Sequence, residues 1–440
     1  MHTSSTRCRS RRAAAAAALA LLLVGAAGAP AGADSIREDQ WFLDAMKAEQ
    51  MWQTSTGEDV TVAVVDTGVD WSNPGLRGRV LPGRDFAEDQ PGDEHTDYDG
   101  HGTGMAGLIA GTGESGGGRG AFGLAPGTKI LPIRMPKAET AANEAEARKR
   151  FNETLALAIR YAADEGAQVI NISLAQPESD QRVTEAVKFA LDKGSLVFAG
   201  VGNDGDEANE VMYPAATPGV VGVAAVGKNL RRTAESEYGP QVDMAAPGAD
   251  LLYACGSATG LCQGHGTSGA AALASASAAL IWSKHPDWTN NQVLRVMLNT
   301  IGAPTDGAKR NDSIGYGIVR PRIALQKPGD PGPADVYPLP DLAAAVSQSR
   351  SPSVPASEGA EQNAPQAAAS TASQDDKTVW IALGAAAVVL LGATTAILVV
   401  RGKRRRQQHA EPFTPPYAHA QHAHGGQPST PPQWGPESRG

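Results

Sequence analysis

Ser268 has the residue type and the local sequence that nucleophilic catalysis by a hydroxyl group requires. It lies in residues 264–272 (GHGTSGAAA), directly after a glycine-rich turn, and the small residues 270–280 that follow predict a buried helix. Backbone N–H groups and the positive end of the helix dipole stabilise an anion that forms beside a serine at such a position. Because Gly-Thr-Ser also occurs in ordinary helix caps, the serine indicates catalysis only if partner groups occur elsewhere in the chain.

Three other polar residues are candidate partner groups for Ser268. Asp66 follows a run of β-branched residues, His101 lies in a glycine-lined turn before an apolar helix, and Asn203 follows another apolar run. Hydrolysis by a serine needs a base for the hydroxyl proton, an acid that orients this base, and a donor for the developing oxyanion. Asp66 alone also fits an ordinary turn aspartate. Asp66, His101 and Ser268 follow one another along the chain in the order Asp, His, Ser, which is one of the known orders of the catalytic triad of serine hydrolases. Together with Asn203 they indicate a serine hydrolase.

The elements that must position these residues follow an alternating pattern. Helical spacing separates continuous apolar runs, which predicts βαβ units and an α/β fold with a mostly parallel sheet. The predicted strands are 60–65, 130–135, 169–174, 196–201 and 220–226, and the helices between or after them include 155–165, 183–192 and 290–300, with an exposed helical insertion at 137–150. Since such sheets bind ligands at the carboxyl ends of their strands, the four polar residues lie where a site is expected.

Composition and charge argue against nucleic acid as a partner. The chain has 440 residues and a net charge of −9, and no basic cluster occurs in the globular part, which argues against a nucleic-acid surface.

The chain contains three cysteines. Cys8 lies in a segment that we expect to be removed. Cys255 and Cys262 then predict a local disulfide in an exported protein, with two free thiols as the alternative. A zinc site is not expected, because suitably spaced histidines are missing.

The first 56 residues predict an export signal and a short extension. Four arginines between residues 7 and 12 precede the apolar run 13–27, and Ala31 and Ala33 occupy the −3 and −1 positions of a cleavage site. Residues 1–33 are therefore predicted to be a signal peptide, with an uncleaved anchor as the alternative. Residues 34–56 form an N-terminal extension whose amphipathic part, 35–53, is expected to pack on the domain that follows.

The C-terminal part of the sequence predicts a stalk and a membrane anchor. Residues 326–377 are rich in Pro, Ala, Ser and Gln without apolar periodicity, which predicts a disordered linker. Residues 378–400 are apolar and uncharged, and as a helix they match the thickness of a bilayer core, with a buried core helix as the alternative. The basic cluster at 401–406 predicts that the tail 401–440 is cytoplasmic and that the globular domain lies outside the cell membrane.

An acidic segment precedes His101. Residues 92–99 contain four carboxylates, which predicts a solvated loop, with a structural calcium site as the alternative. We therefore expect no catalytic metal and no cofactor.

These features together resemble the subtilisin-like serine proteases. The segments that carry the resemblance are 64–70, 100–103, 169–174, 200–205, 245–248 and 266–268, within a similarity that spans about residues 57–325. The resemblance implies a three-layer peptidase domain in which Asp66 orients His101, His101 acts as general base and then acid, Ser268 is the nucleophile, and Asn203 is the oxyanion donor. It also implies that Ser173, Leu174 and Ala175 bind the substrate backbone by strand-like pairing.

The arrangement of segments narrows this resemblance to the mycosins, the membrane-anchored proteases of actinobacterial type VII secretion systems. It implies a protein or peptide substrate and an association with the secretion complex. Two other interpretations remain: a component that works mainly by binding this complex, and a scavenging protease. The chain departs from the family at Gly269, where relatives have a larger residue, and at residues 270–272, which lack a proline. A looser turn at the nucleophile, with lower activity, is the expected consequence.

Overall fold

The structure is a computed structural model that describes residues 36–115, 120–256 and 260–350. The predicted signal peptide, membrane-spanning segment and cytoplasmic tail lie outside these ranges. Within the three ranges, no helix is both long enough and apolar enough to cross a bilayer.

The predicted parallel sheet is present and has seven strands. Their bounds are β1 Thr61–Asp66, β2 Arg84–Asp85, β3 Lys129–Arg134, β4 Val169–Ile172, β5 Leu196–Gly200, β6 Val220–Val226 and β7 Met244–Pro247. The strand order is β2-β3-β1-β4-β5-β6-β7, and all neighbouring pairs are parallel. All residues of β4, β5, β6 and β7 are buried, as strands covered on both faces must be.

Helices cover both faces of the sheet. Their bounds are α1 Ile36–Asp39, α2 Trp41–Met46, α3 Ala48–Trp52, α4 His101–Ala110, α5 Glu144–Asp164, α6 Gln181–Asp192, α7 Thr267–Lys284, α8 Asn290–Asn299, α9 Pro321–Gln326 and α10 Pro340–Arg350. Val62 and Val64 of β1 belong to the apolar core that includes α4 and α7, whereas Ala63 and Val65 belong to the core that includes α5 and α6. This alternation gives the three-layer α/β arrangement that the sequence predicts.

Two strands that the sequence analysis does not predict form a hairpin before the nucleophile. Strands β8 (Leu251–Ala254) and β9 (Leu261–Gly264) pair antiparallel, with Tyr253 opposite Cys262. The predicted disulfide joins Cys255 to Cys262, with an S–S distance of 2.01 Å. The hairpin therefore leads directly into the turn that carries Ser268.

The N-terminal extension packs on the domain as three short helices. Gln40 separates α1 from α2, and Lys47, with φ of 62°, separates α2 from α3. The indole N–H of Trp41 donates to Ala249 O, and that of Trp52 donates to Leu124 O. The described residues of this segment, 36–56, brace the domain through these contacts, and none of them lines the cavities around His101 or Ser268.

Gln40 is the polar anchor of this extension, so its replacement by alanine is expected to destabilise the fold. Its side chain is fully buried, donates to Phe122 O and Leu252 O, and accepts from Phe122 N. Gln40→Ala leaves these backbone groups without partners and should lower the free energy of unfolding by about 2–4 kcal/mol. Urea unfolding of the purified protein measures this, with the exposed Gln53→Ala as matched control. Equal unfolding midpoints for the two variants would contradict the anchoring role.

Two segments differ from their predicted structure. Only residues 144–150 of the expected insertion 137–150 are part of an α-helix, and they continue into the following helix as α5, whose start Asn143 caps by accepting from Glu146 N. Residues 327–339, expected to belong to a disordered linker, instead pack on the domain. The guanidinium of Arg295 donates to Pro331 O and Pro333 O, and Leu339 is 2% exposed. Hydrogen bonds to a proline-rich backbone have no apolar period, so the sequence pattern did not reveal them.

Candidate active site

Asp66 and His101 form a short polar contact beside the cleft. Asp66 ends β1 and is fully buried, while His101 begins α4, and the distance from Asp66 Oδ1 to His101 Nδ1 is 2.7 Å. The backbone N–H of Thr67 also donates to Asp66 Oδ1, at 2.8 Å. The carboxylate is therefore fixed on one side and holds the imidazole on the other.

This contact raises the affinity of His101 for a proton. The negative charge of Asp66 is the largest cause, and it raises the pKa of His101 to about 9, although burial acts in the opposite direction. An imidazole held in this way is a stronger base than a free one, and its positive form is stabilised while it carries a proton.

Asp97 connects the two segments that carry Asp66 and His101, a role that the sequence did not reveal. Its Oδ1 accepts from Thr67 Oγ1 and Gly100 N, and its Oδ2 accepts from the N–H and the hydroxyl of Thr103. The carboxylate thus caps the first turn of α4, since the N-cap residue itself is a glycine. The spacing of an acidic residue four positions before His101 is the only signal that sequence offers for it.

Replacement of Asp97 by asparagine is therefore expected to lower kcat for peptide hydrolysis by about 10–100-fold, because an amide N–H would face N–H and O–H donors. The matched control is Asp99→Asn, which removes the same charge near His101 from an exposed side chain. Peptidase kinetics of both variants separate lost hydrogen bonds from lost charge. Equal losses in the two variants would refute the positioning role.

Ser268 lies in the first turn of α7, where the sequence predicts it. Gly266, with φ of 120°, precedes the helix and supplies a backbone conformation that other residues rarely adopt. Ser268 Oγ donates to Ser173 O at 3.2 Å, and Ser173 Oγ donates to Ser268 O at 3.2 Å. Gly269 is buried, and an added Cβ would lie 2.4 Å from Leu251 Cδ1, so glycine here allows close packing of α7 on the hairpin.

Asn203 follows β5 and is joined to the turn of Ser268. Its Oδ1 accepts from Thr267 N at 2.9 Å and from Thr267 Oγ1 at 3.2 Å. With the side-chain oxygen used in this way, the side-chain nitrogen is the group that remains to donate into the cleft.

Two cavities meet at the segment Ser173–Ala175. A cavity of about 250 Å³ is lined by Ser173, Ala175, Asn203 and Ser268, among others. A cavity of about 470 Å³ is lined by His101 and by all three residues of the segment. Ser268 and Asn203 therefore line one cavity and His101 lines the other, and the two cavities share Ser173 and Ala175. Asp66 lines neither cavity and contacts His101 from the buried side.

Carboxylates of the acidic loop before His101 accept hydrogen bonds from groups of the protein itself. Besides Asp97, Asp93 Oδ1 accepts from His95 N and Thr96 Oγ1. Among the residues that the structure describes, no group of three or more His, Cys, Asp or Glu side chains is arranged to hold a metal ion.

The chain is similar to known proteins over a large part of its length. The profile of the Subtilase family matches residues 57–317. The major intracellular serine protease of Bacillus subtilis is 33% identical over 216 residues, which cover 48% of this chain and 65% of that protein. This chain therefore spans slightly less than two thirds of the length of that curated relative.

Two solved structures are similar over most of their length. MycP1 from Mycobacterium smegmatis is 30% identical, with a TM-score of 0.58, and the match covers 67% of this chain and 86% of that one. The MycP3 protease from the type VII (ESX-3) secretion system is 34% identical, with a TM-score of 0.57 and coverage of 64% and 87%. The family profile alone covers more than half of the present sequence. The chain belongs to the subtilase family of serine proteases.

Proposed function

We propose that the protein is a membrane-anchored, extracytoplasmic serine endopeptidase that hydrolyses peptide bonds with Asp66, His101 and Ser268. The observation that carries the proposal is the 2.7 Å contact between Asp66 and His101 at the cleft that also contains Ser268 and Asn203. The order of these groups along the chain and their positions on the sheet support the same assignment.

Acylation begins with the proton of the Ser268 hydroxyl. In the structure this hydroxyl donates to Ser173 O, a carbonyl that a backbone N–H of an extended substrate can also bind. Competition by the substrate frees the hydroxyl, whose proton moves to His101 Nε2 as the oxygen bonds to the substrate carbonyl carbon. The carbonyl oxygen becomes an oxyanion, which accepts hydrogen bonds from Asn203 Nδ2 and from the backbone N–H of Ser268.

Collapse of this intermediate completes the first half of the reaction. His101 gives its proton to the leaving amine as the C–N bond breaks, and an acyl-enzyme remains on Ser268. Water then attacks the ester, with His101 again as base, and Ser268 regains its proton. Asp66 keeps its negative charge throughout and stabilises the imidazolium that forms in each half.

The cellular context rests on the comparisons and on the sequence outside the described residues. MycP3 is described as a protease of a type VII secretion system, and the predicted signal peptide, spanning segment and basic cluster would hold the peptidase domain outside the membrane. We therefore place the protein at the cell membrane, in association with such a secretion system and with a protein or peptide as substrate.

The full-length protein, assayed against a library of quenched fluorescent peptides, tests the activity. The wild type should cleave members of the library, and Ser268→Ala should cleave none at the same enzyme concentration. A wild type without activity on any peptide would contradict the proposal.

A knockout strain complemented with either form tests the cellular role. Restoration of secretion by wild type alone would support a need for the chemistry. Full restoration by Ser268→Ala would favour the alternative that the protein serves the secretion complex by binding.

A further inference from the structure

Glu237 is a buried carboxyl group that the proposed reaction does not use. Its side chain is 0% exposed, and neither Oε1 nor Oε2 has a hydrogen-bond partner among the described residues. A buried carboxylate without donors is costly, whereas the neutral acid is tolerated far better. The fold therefore favours the protonated form of Glu237.

The carboxyl group packs directly behind the segment that carries Asn203. Gly202 has φ of 114°, and a Cβ added to it would lie 2.2 Å from Glu237 Oε1, so the carboxyl fills the space of the missing side chain. Glu237 N also donates to Gly202 O, at 3.1 Å. On its other side Gly202 N donates to Thr267 Oγ1, at 3.2 Å. Gly202 is therefore held between Glu237 and the turn of Ser268.

Gly202 also separates Glu237 from the cleft, because it lines the cavity of about 250 Å³ beside Ser268. An ionised Glu237 needs water or new donors, and water that enters from this cavity must displace Gly202. Since Asn203 is the next residue, such a displacement moves the oxyanion donor.

The charged groups near Glu237 oppose its ionisation. The pKa of Glu237 is raised to about 7, and burial is the largest cause. The nearby backbone N–H of Asp204 lowers this pKa, whereas the negative charges of Asp204 and Glu210 contribute to raising it.

The cationic side chains of the neighbouring segments contact groups other than the Glu237 carboxyl. The guanidinium of Arg232 donates to the carbonyls of Thr233, Ala234 and Ser236 and lies over the ring of Tyr238. His265 pairs with Glu235 at 3.3 Å. Among the described residues, no cation therefore pairs with the Glu237 carboxyl.

We propose that Glu237 is a positioning residue: in its neutral form it holds Gly202 and Asn203 in place for the oxyanion, and its ionisation lowers kcat. The inference rests on the proposed peptidase activity. The effect falls on kcat and leaves KM nearly constant, because the oxyanion contact exists only in the transition state and intermediate.

The test compares wild type with Glu237→Gln, which has the same shape but cannot ionise. Both full-length proteins are assayed for kcat between about pH 5.5 and about pH 8.5, and the ratio of the two values at each pH cancels the titration of His101. The ratio of Glu237→Gln to wild type should rise from about 1 to at least about tenfold. The matched control, Glu235→Gln on the same segment, should show a constant ratio. A constant ratio for Glu237→Gln would overturn the inference.

A second variant tests whether Glu237 acts through Asn203, and it does not depend on correct folding of Glu237→Gln. At acidic pH, kcat of the wild type should exceed kcat of Asn203→Ala by about 10²–10³-fold. At alkaline pH, the ratio of the two kcat values should be roughly tenfold smaller. An advantage that is independent of pH would overturn the role of Glu237 while leaving the peptidase activity established. A wild type without turnover at any pH would instead refute the proposed function, and with it this role.

Discussion

Replacement of His101 by alanine should lower kcat for peptide hydrolysis by about 10⁶-fold. Among the described residues His101 is the base that contacts Asp66, and in the proposed mechanism it takes the proton of Ser268 and returns it to the leaving amine. The remaining activity would come from the oxyanion donors and from substrate binding alone. Steady-state kinetics with a fluorescent peptide measure the loss.

The pH dependence of the wild type provides a second test of His101. Since Asp66 raises the pKa of His101 to about 9, the protonated form, which cannot accept the serine proton, is favoured as the pH falls. Hydrolysis should therefore decline toward acidic pH.

His265→Ala is the matched control for His101→Ala, because the side chain of His265 is 73% exposed and pairs with Glu235 instead of Asp66. A loss as large in His265→Ala as in His101→Ala would contradict the assignment of the base.

Replacement of Asp66 by asparagine should lower kcat by about 10⁴-fold. The amide removes the charge that stabilises the imidazolium, and its NH₂ group must either face the Nδ1–H of His101 or take the position of Oδ2, which is buried without a partner. Because the charge of Asp66 is the main cause of the raised pKa of His101, the acid limb of the pH profile should also move to lower pH.

Asp59→Asn is the matched control for this variant. Asp59 is exposed and precedes β1, at the end of the strand opposite to Asp66, and its φ of 61° suits asparagine equally well. It should keep wild-type kcat and an unchanged pH profile. An Asp66→Asn enzyme with an unmoved acid limb would show that another group sets the proton affinity of His101.

The strands and the residues at their ends were predictable because they depend on local sequence. A continuous apolar run such as 220–226 is buried on both faces wherever the sheet places it, and the chain direction determines which end of each strand carries a residue such as Asp66 or Asn203. Glycine-rich turns similarly mark the starts of α4 and α7. The resemblance to known proteases assigned roles that spacing alone left open.

The features that the sequence did not reveal depend on contacts between distant segments. The hairpin of β8 and β9 has strands of four residues, too short for a period to show. Asp97 looked like part of a solvated loop, because its function is to join Thr67 to Thr103. Glu237 had no signal at all, since its burial against Gly202 arises only when the chain has folded. Docking of residues 327–339 likewise depends on Arg295.

Reaction of the full-length protein with a fluorophosphonate probe, read by intact mass, tests the central claim most directly. Such probes phosphonylate a serine only when its hydroxyl is activated by a base. A single adduct on wild type, with none on Ser268→Ala and a greatly slowed reaction of His101→Ala, is the predicted result. A folded wild type that forms no adduct, or an adduct that persists in Ser268→Ala, would contradict the assignment of Ser268, His101 and Asp66 as one catalytic unit.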